Sequence, residues 1–398
     1  MGIPFDAGAI LLLLAAVVAI VTRRLRLPYS AGLVAAGMVL ALFTFAPQVR
    51  LTKTLLFTAL LPPLVFEAAF NIDWKRLRSD FALLAVLATV GLSISAAVTA
   101  AGMHYLVGWQ WLSCTAFGVL IAATDPVSVI AIFREAGARG RLLLLVESES
   151  LLNDGTAAVA FSVVVALATG AGVSGLGVVR MLVLMIGGGV LCGGLVAGVA
   201  LLLAGRTQDH LVEITMTTVA AYGSFLLADR LNLSGVLATL TAGLVMGNNA
   251  EGIFSARGRE SLMAFWEYAA FVANSLIFLL IGIRTGHSHI LLFWFPAAMA
   301  ILLVTLGRAT AIYPCCALFW RSRQRVPLSN RHVLFWGGLR GALALALALG
   351  LPAEVPAREQ VITVTFAVAA FSILVQGLTM RPLLRLLGEV SPTGPAAE

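Results

Sequence analysis

The chain is predicted to be all-α and polytopic, crossing a bilayer about 13 times, and three observations lead there. Of its 398 residues 60% are hydrophobic and only 11% charged, against about 25% charged in soluble globular domains. Apolar runs of roughly 20 residues, the length that spans a bilayer as a helix, recur from one end to the other. The polar connections between them are short, so no soluble domain has room for a core of its own and the membrane part is essentially the whole chain.

Reading between charged or Pro/Gly-rich breaks places spans near 7–22, 30–47, 54–70, 81–106, 111–133, 142–168, 176–204, 211–229, 233–249, 262–283, 289–320, 332–350 and 360–380. The distribution of basic residues tests this count, because one missed span would scramble the bias of Lys and Arg towards the cytoplasmic loops. Alternate loops collect 18 Lys and Arg on one side and six on the other, with Arg308 and Arg340 inside spans, which accounts for all 26. The expectation is a multi-pass protein of the cell (inner) membrane, N-terminus outside and C-terminus cytoplasmic.

An odd count suits two six-span units joined by one helix, as in transporters built from inverted repeats. The first repeat is expected over 1–170, the linking helix over 171–210, the second repeat over 211–386 and a short cytoplasmic tail over 387–398. The fifth and twelfth spans then correspond, and both are interrupted, by Asp125-Pro126 and by Gly337-Gly338-Leu339-Arg340-Gly341. Glycine is plentiful, at 38 residues. Gly189 with Gly193, and Gly194 with Gly198, read as places where helices approach closely.

Several classes fall away. The net charge of +7 is scattered among apolar spans, whereas a nucleic-acid binder gathers it on one solvated face. Cys114, Cys192, Cys315 and Cys316 lie in or at the ends of apolar segments without metal-ligand spacing. The basic cluster follows the first apolar run instead of preceding it, which argues against a signal peptide. Asp6 stands where a myristoylation site wants Ser or Thr.

Five ionisable residues fall at depth: Glu67, Asp125, Glu149, Asp154 and Arg340. Each costs about 2.5 to 3.5 kcal/mol on the insertion scale, so the set costs on the order of 10 kcal/mol or more, a burden that a purely structural bundle sheds. In Ala122-Ala123-Thr124-Asp125-Pro126 the proline has no N–H and its ring clashes with the carbonyl four residues back, which frees the Ala122 carbonyl. Free carbonyls at membrane depth are tolerated where they line a cavity, and such half-helix ends can coordinate a cation. A simple proline kink is the alternative.

In Glu147-Ser148-Glu149-Ser150-Leu151-Leu152-Asn153-Asp154-Gly155 the helical turn of about 100° per residue brings Ser150, Asn153 and Asp154 to one side. One carboxylate among neutral oxygens suits a monovalent cation better than a divalent one. Asn-Asp-Gly more often marks a turn, but apolar sequence on both sides opposes that reading. Glu149 stands about 140° from Asp154 around the helix, and Arg340 is its expected partner in a buried ion pair. Glu67 either lines the path or caps the third span. Removing a carboxyl group from water favours its uncharged form, so Asp154 is expected to hold a proton or a cation but not both. Rocking of one bundle against another then yields exchange.

Together, Thr124-Asp125-Pro126, Glu149-Ser150-x-x-Asn153-Asp154 and Gly338-Leu339-Arg340-Gly341 resemble the monovalent cation:proton antiporter superfamily, in its NhaP-type and sodium/proton exchanger branch. Leu233-Ser234-Gly235-Val236-Leu237-Ala238, Phe265-Trp266-Glu267 and Asn274-Ser275-Leu276-Ile277-Phe278 are similar to that branch as well. The resemblance implies an NhaA-like antiporter fold and a Na+ site formed by Asp154, Ser150, the Thr124 main chain and Glu67, organised by Asp125 and Asn153. It implies the Glu149–Arg340 ion pair, electroneutral exchange of Na+ or Li+ for H+, and a homodimer whose core moves against a dimerisation domain. No cofactor is implied beyond the transported ions, and no enzymatic activity. Only about 18 residues follow Met380, so the long regulatory tail of many relatives is not expected.

A K+/H+ antiporter is the alternative, because cavity size decides the ion. A passive channel fits poorly, since two differently broken helices do not suggest a symmetric ring. Gly172-Val173-Ser174-Gly175 superficially fits a serine-protease pattern, but no His occupies a neighbouring span.

Overall fold

The computed structural model describes residues 5–25, 27–43, 52–125, 129–130, 133, 140–170, 175–287 and 290–389. Lipid offers no hydrogen bonds, so the apolar runs close their backbone bonds internally. Among the described residues every regular element is helical. In order these are α1 (Phe5–Leu25), α2 (Tyr29–Leu40), α3 (Leu55–Phe70), α4 (Trp74–Val107), α5 (Trp111–Ala122), α6 (Arg141–Ala168) and α7 (Gly175–Ala204). There follow α8 (His210–Arg230), α9 (Gly235–Ile253), α10 (Ala256–His287), α11 (Trp294–Leu318), α12 (Leu328–Trp336), α13 (Ala342–Leu349) and α14 (Arg358–Leu386).

Eight of these are long and apolar enough to cross a bilayer. The shorter apolar helices α2, α3 and α5 occupy three further windows, and the twelfth window holds the two halves α12 and α13. The eight long helices do not by themselves establish thirteen crossings. Pro126, most of the fifth window beyond it, the Gly172–Ser174 stretch and the tail after residue 389 lie outside the described residues.

The helices sort into two bundles. One, the scaffold, packs α2 on α10, α9 on α3 and α7, and α8 against α7 and α9. The other, the core, packs α4 on α5 and α11 and gathers α6 and α12–α14 around them. Small residues set the closest approaches. A Cβ on Gly37 of α2 would stand 2.9 Å from the Gly282 Cα of α10.

The two glycine pairs of α7 differ. A Cβ on Gly189 would meet the Ser234 carbonyl at 2.9 Å and one on Gly193 the Ala238 Cα at 2.9 Å, so this pair seats α7 on α9. Gly194 and Gly198 face open space. Gly193→Val is therefore expected to lower thermal stability in detergent by about 1 to 3 kcal/mol through overpacking. Gly194→Ala is expected to raise it by roughly 0.5 to 1 kcal/mol through helix propensity.

One boundary moves with a physical reason. Lys75, Arg76 and Arg78, expected in a loop, stand in the first turns of α4. Asp73 caps this helix by accepting from the amides of Lys75 (2.8 Å) and Arg76 (3.4 Å), which starts the helix before the apolar run begins. Asp80 is thereby carried inward to 4% exposure. There it holds Arg141 at 2.6 and 3.0 Å, while Arg141 also donates to the Gln324 (2.9 Å) and Arg325 (2.8 Å) carbonyls. This cluster joins α4, the start of α6 and the loop after α11.

Candidate ion-binding site

Two interruptions cross in the middle of the core. α5 ends at Ala122 and the chain runs extended through Ala123. α12 ends at Trp336, and the chain uncoils through Gly337–Gly341 before α13 begins. The Asp125 amide donates to the Leu339 carbonyl at 2.7 Å, which ties the two breaks together. The Asp125 side chain lies directly against Gly341, where any Cβ would overlap it. A carboxylate here stands at the positive end of the α13 half-helix.

The Ala122 carbonyl, which Pro126 leaves without a helical donor, is taken by two side chains. Asn153 donates Nδ2 to it at 2.9 Å, and Arg340 donates Nη1 at 3.0 Å. The same Arg340 nitrogen reaches the Ala123 carbonyl at 3.1 Å. A guanidinium at the carbonyl end of α5 also meets that half-helix's negative end. The Arg340 amide is held in turn by Ser372 Oγ at 3.0 Å.

α6 supplies the remaining polar groups from one face. Asn153 Nδ2 also donates to Thr124 Oγ1 at 3.2 Å, and Thr124 Oγ1 donates to Ser150 Oγ at 3.1 Å. Both Nδ2 hydrogens are thus engaged, which directs Asn153 Oδ1 the other way. Beside this network is a cavity of about 40 Å³ lined by Thr124, Asp125, Asp154 and residues 341–344 from the core, and by Leu61, Leu64, Val65 and Ala68 of α3. One water needs roughly 10 to 15 Å³ by this measure, so two or three waters, or an ion, have room. Asp154 Oδ1 and Asn153 Oδ1 are shut off from solvent with no hydrogen-bond partner among the described residues. Buried oxygens without donors call for a cation, a proton or water.

The expected ion pair is corrected. Glu149 is bound by Arg308, not Arg340, with Nη1–Oε1 at 2.7 Å and Nη2–Oε2 at 2.9 Å. Glu149 faces away from Asp154 as expected, but that face of α6 looks towards α11, where Arg308 is buried. Arg340 sits inside the break, and the freed carbonyls of Ala122 and Ala123 take its donors. Arg308 also reaches the Leu334 carbonyl at 3.0 Å. It packs on Gly338, where a Cβ would stand 2.6 Å from its Nε. The sequence carried the signal, since Arg308 is the one charged residue in α11.

Glu67 is not among the residues that line the cavity, and neither are Ser150 and Asn153. The Glu67 neighbours Leu64 and Ala68 line it, while Glu67 Oε1 accepts from Asn71 Nδ2 at 2.9 Å. Among the described residues no group of three or more His, Cys, Asp or Glu is placed to hold a metal ion. The assembled donors are single carboxyl groups set among neutral oxygens.

Residues 10–386 match the family described as sodium/hydrogen exchanger, transmembrane. The chain is 40% identical over 394 residues to the Na(+)/H(+) antiporter NhaS2 of Synechocystis sp., covering 98% of this chain and 71% of that protein. It is 35% identical over 345 residues to the Na(+)/H(+) antiporter NhaP of Pseudomonas aeruginosa, covering 83% of this chain and 80% of that one. The structure of the sodium proton antiporter MjNhaP1 from Methanocaldococcus jannaschii at pH 8 superposes with a TM-score of 0.76 at 18% identity, covering 96% of this chain and 98% of that one, which shows a shared fold. With a profile match over nearly its whole length and relatives above 30% identity, this multi-pass membrane chain belongs to the sodium/hydrogen exchanger family.

Proposed function

We propose that the chain exchanges Na+, with Li+ as a second substrate, for H+ across the membrane, one for one, the two competing for Asp154. One observation carries this reading: among the described residues around the crossing, two buried carboxyl groups, Asp125 and Glu149, and the half-buried Asp154, whose Oδ1 is shut off from solvent, stand against two buried guanidiniums, Arg308 and Arg340. The formal deficit is one positive charge. A proton or one monovalent cation closes it, whereas a divalent ion overshoots. The unpartnered Asp154 Oδ1 marks where that charge goes.

In this reading Ser150, Asn153 Oδ1 and the Thr124 main chain complete the donor set, Asp125 holds the two breaks in register, and Arg340 fixes the carbonyl end of α5. Glu67 stands next to Ala68, which lines the cavity, and accepts from Asn71. The cavity lies where core meets α3 of the scaffold, so displacement of one bundle against the other would open it to alternate sides. Corresponding breaks support inverted repeats at 1–170 and 211–386 around the linking segment 171–210. The bias of Lys and Arg supports a cytoplasmic C-terminus in the cell membrane. The scaffold is the bundle through which a homodimer would form.

The test is reconstitution into vesicles with an imposed pH gradient and addition of Na+, Li+ or K+ in turn. Na+ and Li+ are expected to dissipate the gradient, at a rate unaffected by clamping the membrane potential. A response to K+ instead moves the substrate assignment to K+. Dependence on potential overturns the one-for-one stoichiometry, and cation flux without proton counterflux makes the protein a channel.

A further inference from the structure

We infer that the crevice between α4 and α9 binds one anionic phospholipid of the cytoplasmic leaflet, with an acyl chain laid between core and scaffold and the phosphate at Arg78. The crevice encloses about 540 Å³, a volume in the range of ligand sites. Phe81 and Ala88 of α4, Leu244 of α9, Leu152 of α6 and Val190 of α7 line it. The three hydroxyls that reach it, on Thr89, Thr156 and Thr241, each donate to a carbonyl of their own helix, at 2.6, 2.9 and 2.8 Å. Away from the end held by Trp74, Asn248 and Asn249, the walls therefore offer an occupant no free hydroxyl hydrogen, which suits a hydrocarbon chain.

One end is different. Trp74, Asn248 and Asn249 close the crevice there, and at about 100° per residue Arg78, which does not itself line the crevice, stands within roughly 40° of Trp74 on α4, between the lining residues Leu77 and Phe81. Arg76 is occupied by Asp73 at 3.5 Å. Arg78 is exposed and makes no hydrogen bond or ion pair among the described residues. This is also the end that the bias of Lys and Arg assigns to the cytoplasm, where anionic headgroups meet basic side chains between helices. An apolar slot leading to an unengaged guanidinium, with the exposed Lys75 nearby in the same turn, matches a lipid with a negatively charged head.

The position gives the occupant leverage. Leu152 and Thr156 lie two residues either side of Asp154 on α6, so an acyl chain in the crevice braces the back of the helix that carries the ion-binding carboxyl group. The inference needs only the membrane placement of the chain and does not depend on ion exchange.

The test uses the full chain in vesicles of phosphatidylcholine doped with bromine-labelled phosphatidylglycerol or bromine-labelled phosphatidylcholine, reading the part of the tryptophan emission lost in Trp74→Phe. That part is expected to be quenched at a roughly fivefold lower mole fraction of the anionic lipid, the effect of one basic residue near an anionic surface. Arg78→Gln, at an exposed position, is expected to fold normally and to erase the preference. Equal quenching by both lipids, or a preference that survives Arg78→Gln, overturns the inference and leaves only surrounding bulk lipid. Because the readout is fluorescence, a failure here is distinct from a failure of the proposed exchange.

Discussion

Asp154→Asn is expected to reduce cation-driven proton flux in vesicles to the level of protein-free vesicles while leaving the fold intact. The amide keeps the shape and one acceptor oxygen but neither takes up nor releases a proton, so the competition that would couple the two ions disappears. Taking an ionisable group out of a span removes a cost of about 2.5 to 3.5 kcal/mol, so the variant is expected to melt at the same temperature as the parent or higher. Binding adds a second readout. Na+ at about 100 times its dissociation constant stabilises a one-site protein by about 2.7 kcal/mol, and thermal unfolding in detergent is expected to show this for the parent and not for the variant. A variant that exchanges as fast as the parent removes Asp154 from the mechanism.

Arg308→Met is expected to be the most destabilising single change in the core. It strands Glu149 in a buried site, where the loss of one partner of a buried ion pair costs about 3 to 5 kcal/mol. Adding Glu149→Gln to the same chain is expected to restore most of the melting temperature, because no unpaired charge then remains. Arg340→Met leaves the Glu149–Arg308 pair intact and instead removes donors from the Ala122 and Ala123 carbonyls, at about 1.5 to 3 kcal/mol for each charge-assisted bond. The distinction is read from double-mutant cycles. Glu149 with Arg308 is expected to show a coupling near the top of the usual 0.5 to 3 kcal/mol range, and Glu149 with Arg340 near the bottom. The reverse order would return Arg340 to the role that the sequence suggested.

That correction shows how far sequence reaches. Helical periodicity fixed which face of α6 carries Ser150, Asn153 and Asp154, and the chemistry of proline located the freed carbonyl of Ala122. Both are local arguments, and both describe geometry that the fold retains. Periodicity also turned Glu149 away from Asp154, but a direction is not a neighbour. Two arginines stood in apolar windows, at positions 308 and 340, and choosing between them required knowing that Asp125 and Leu339 meet across more than two hundred residues of chain. Asp80 escaped notice because it sits just before an apolar run, where hydropathy places a loop and the Asp73 cap instead starts a helix. Glu67 was assigned by resemblance, and the side chain belongs to a turn whose cavity-lining positions are its apolar neighbours.

The surface that α3 presents to the ion cavity is Leu61, Leu64, Val65 and Ala68. Among the described residues, the polar side chains that line the cavity therefore all belong to the core. A greasy partner surface has no side-chain hydrogen bonds to surrender, so if the proposed displacement of core against scaffold takes place, an ion held by the core would keep its donors and only dispersion contacts would be exchanged at that face.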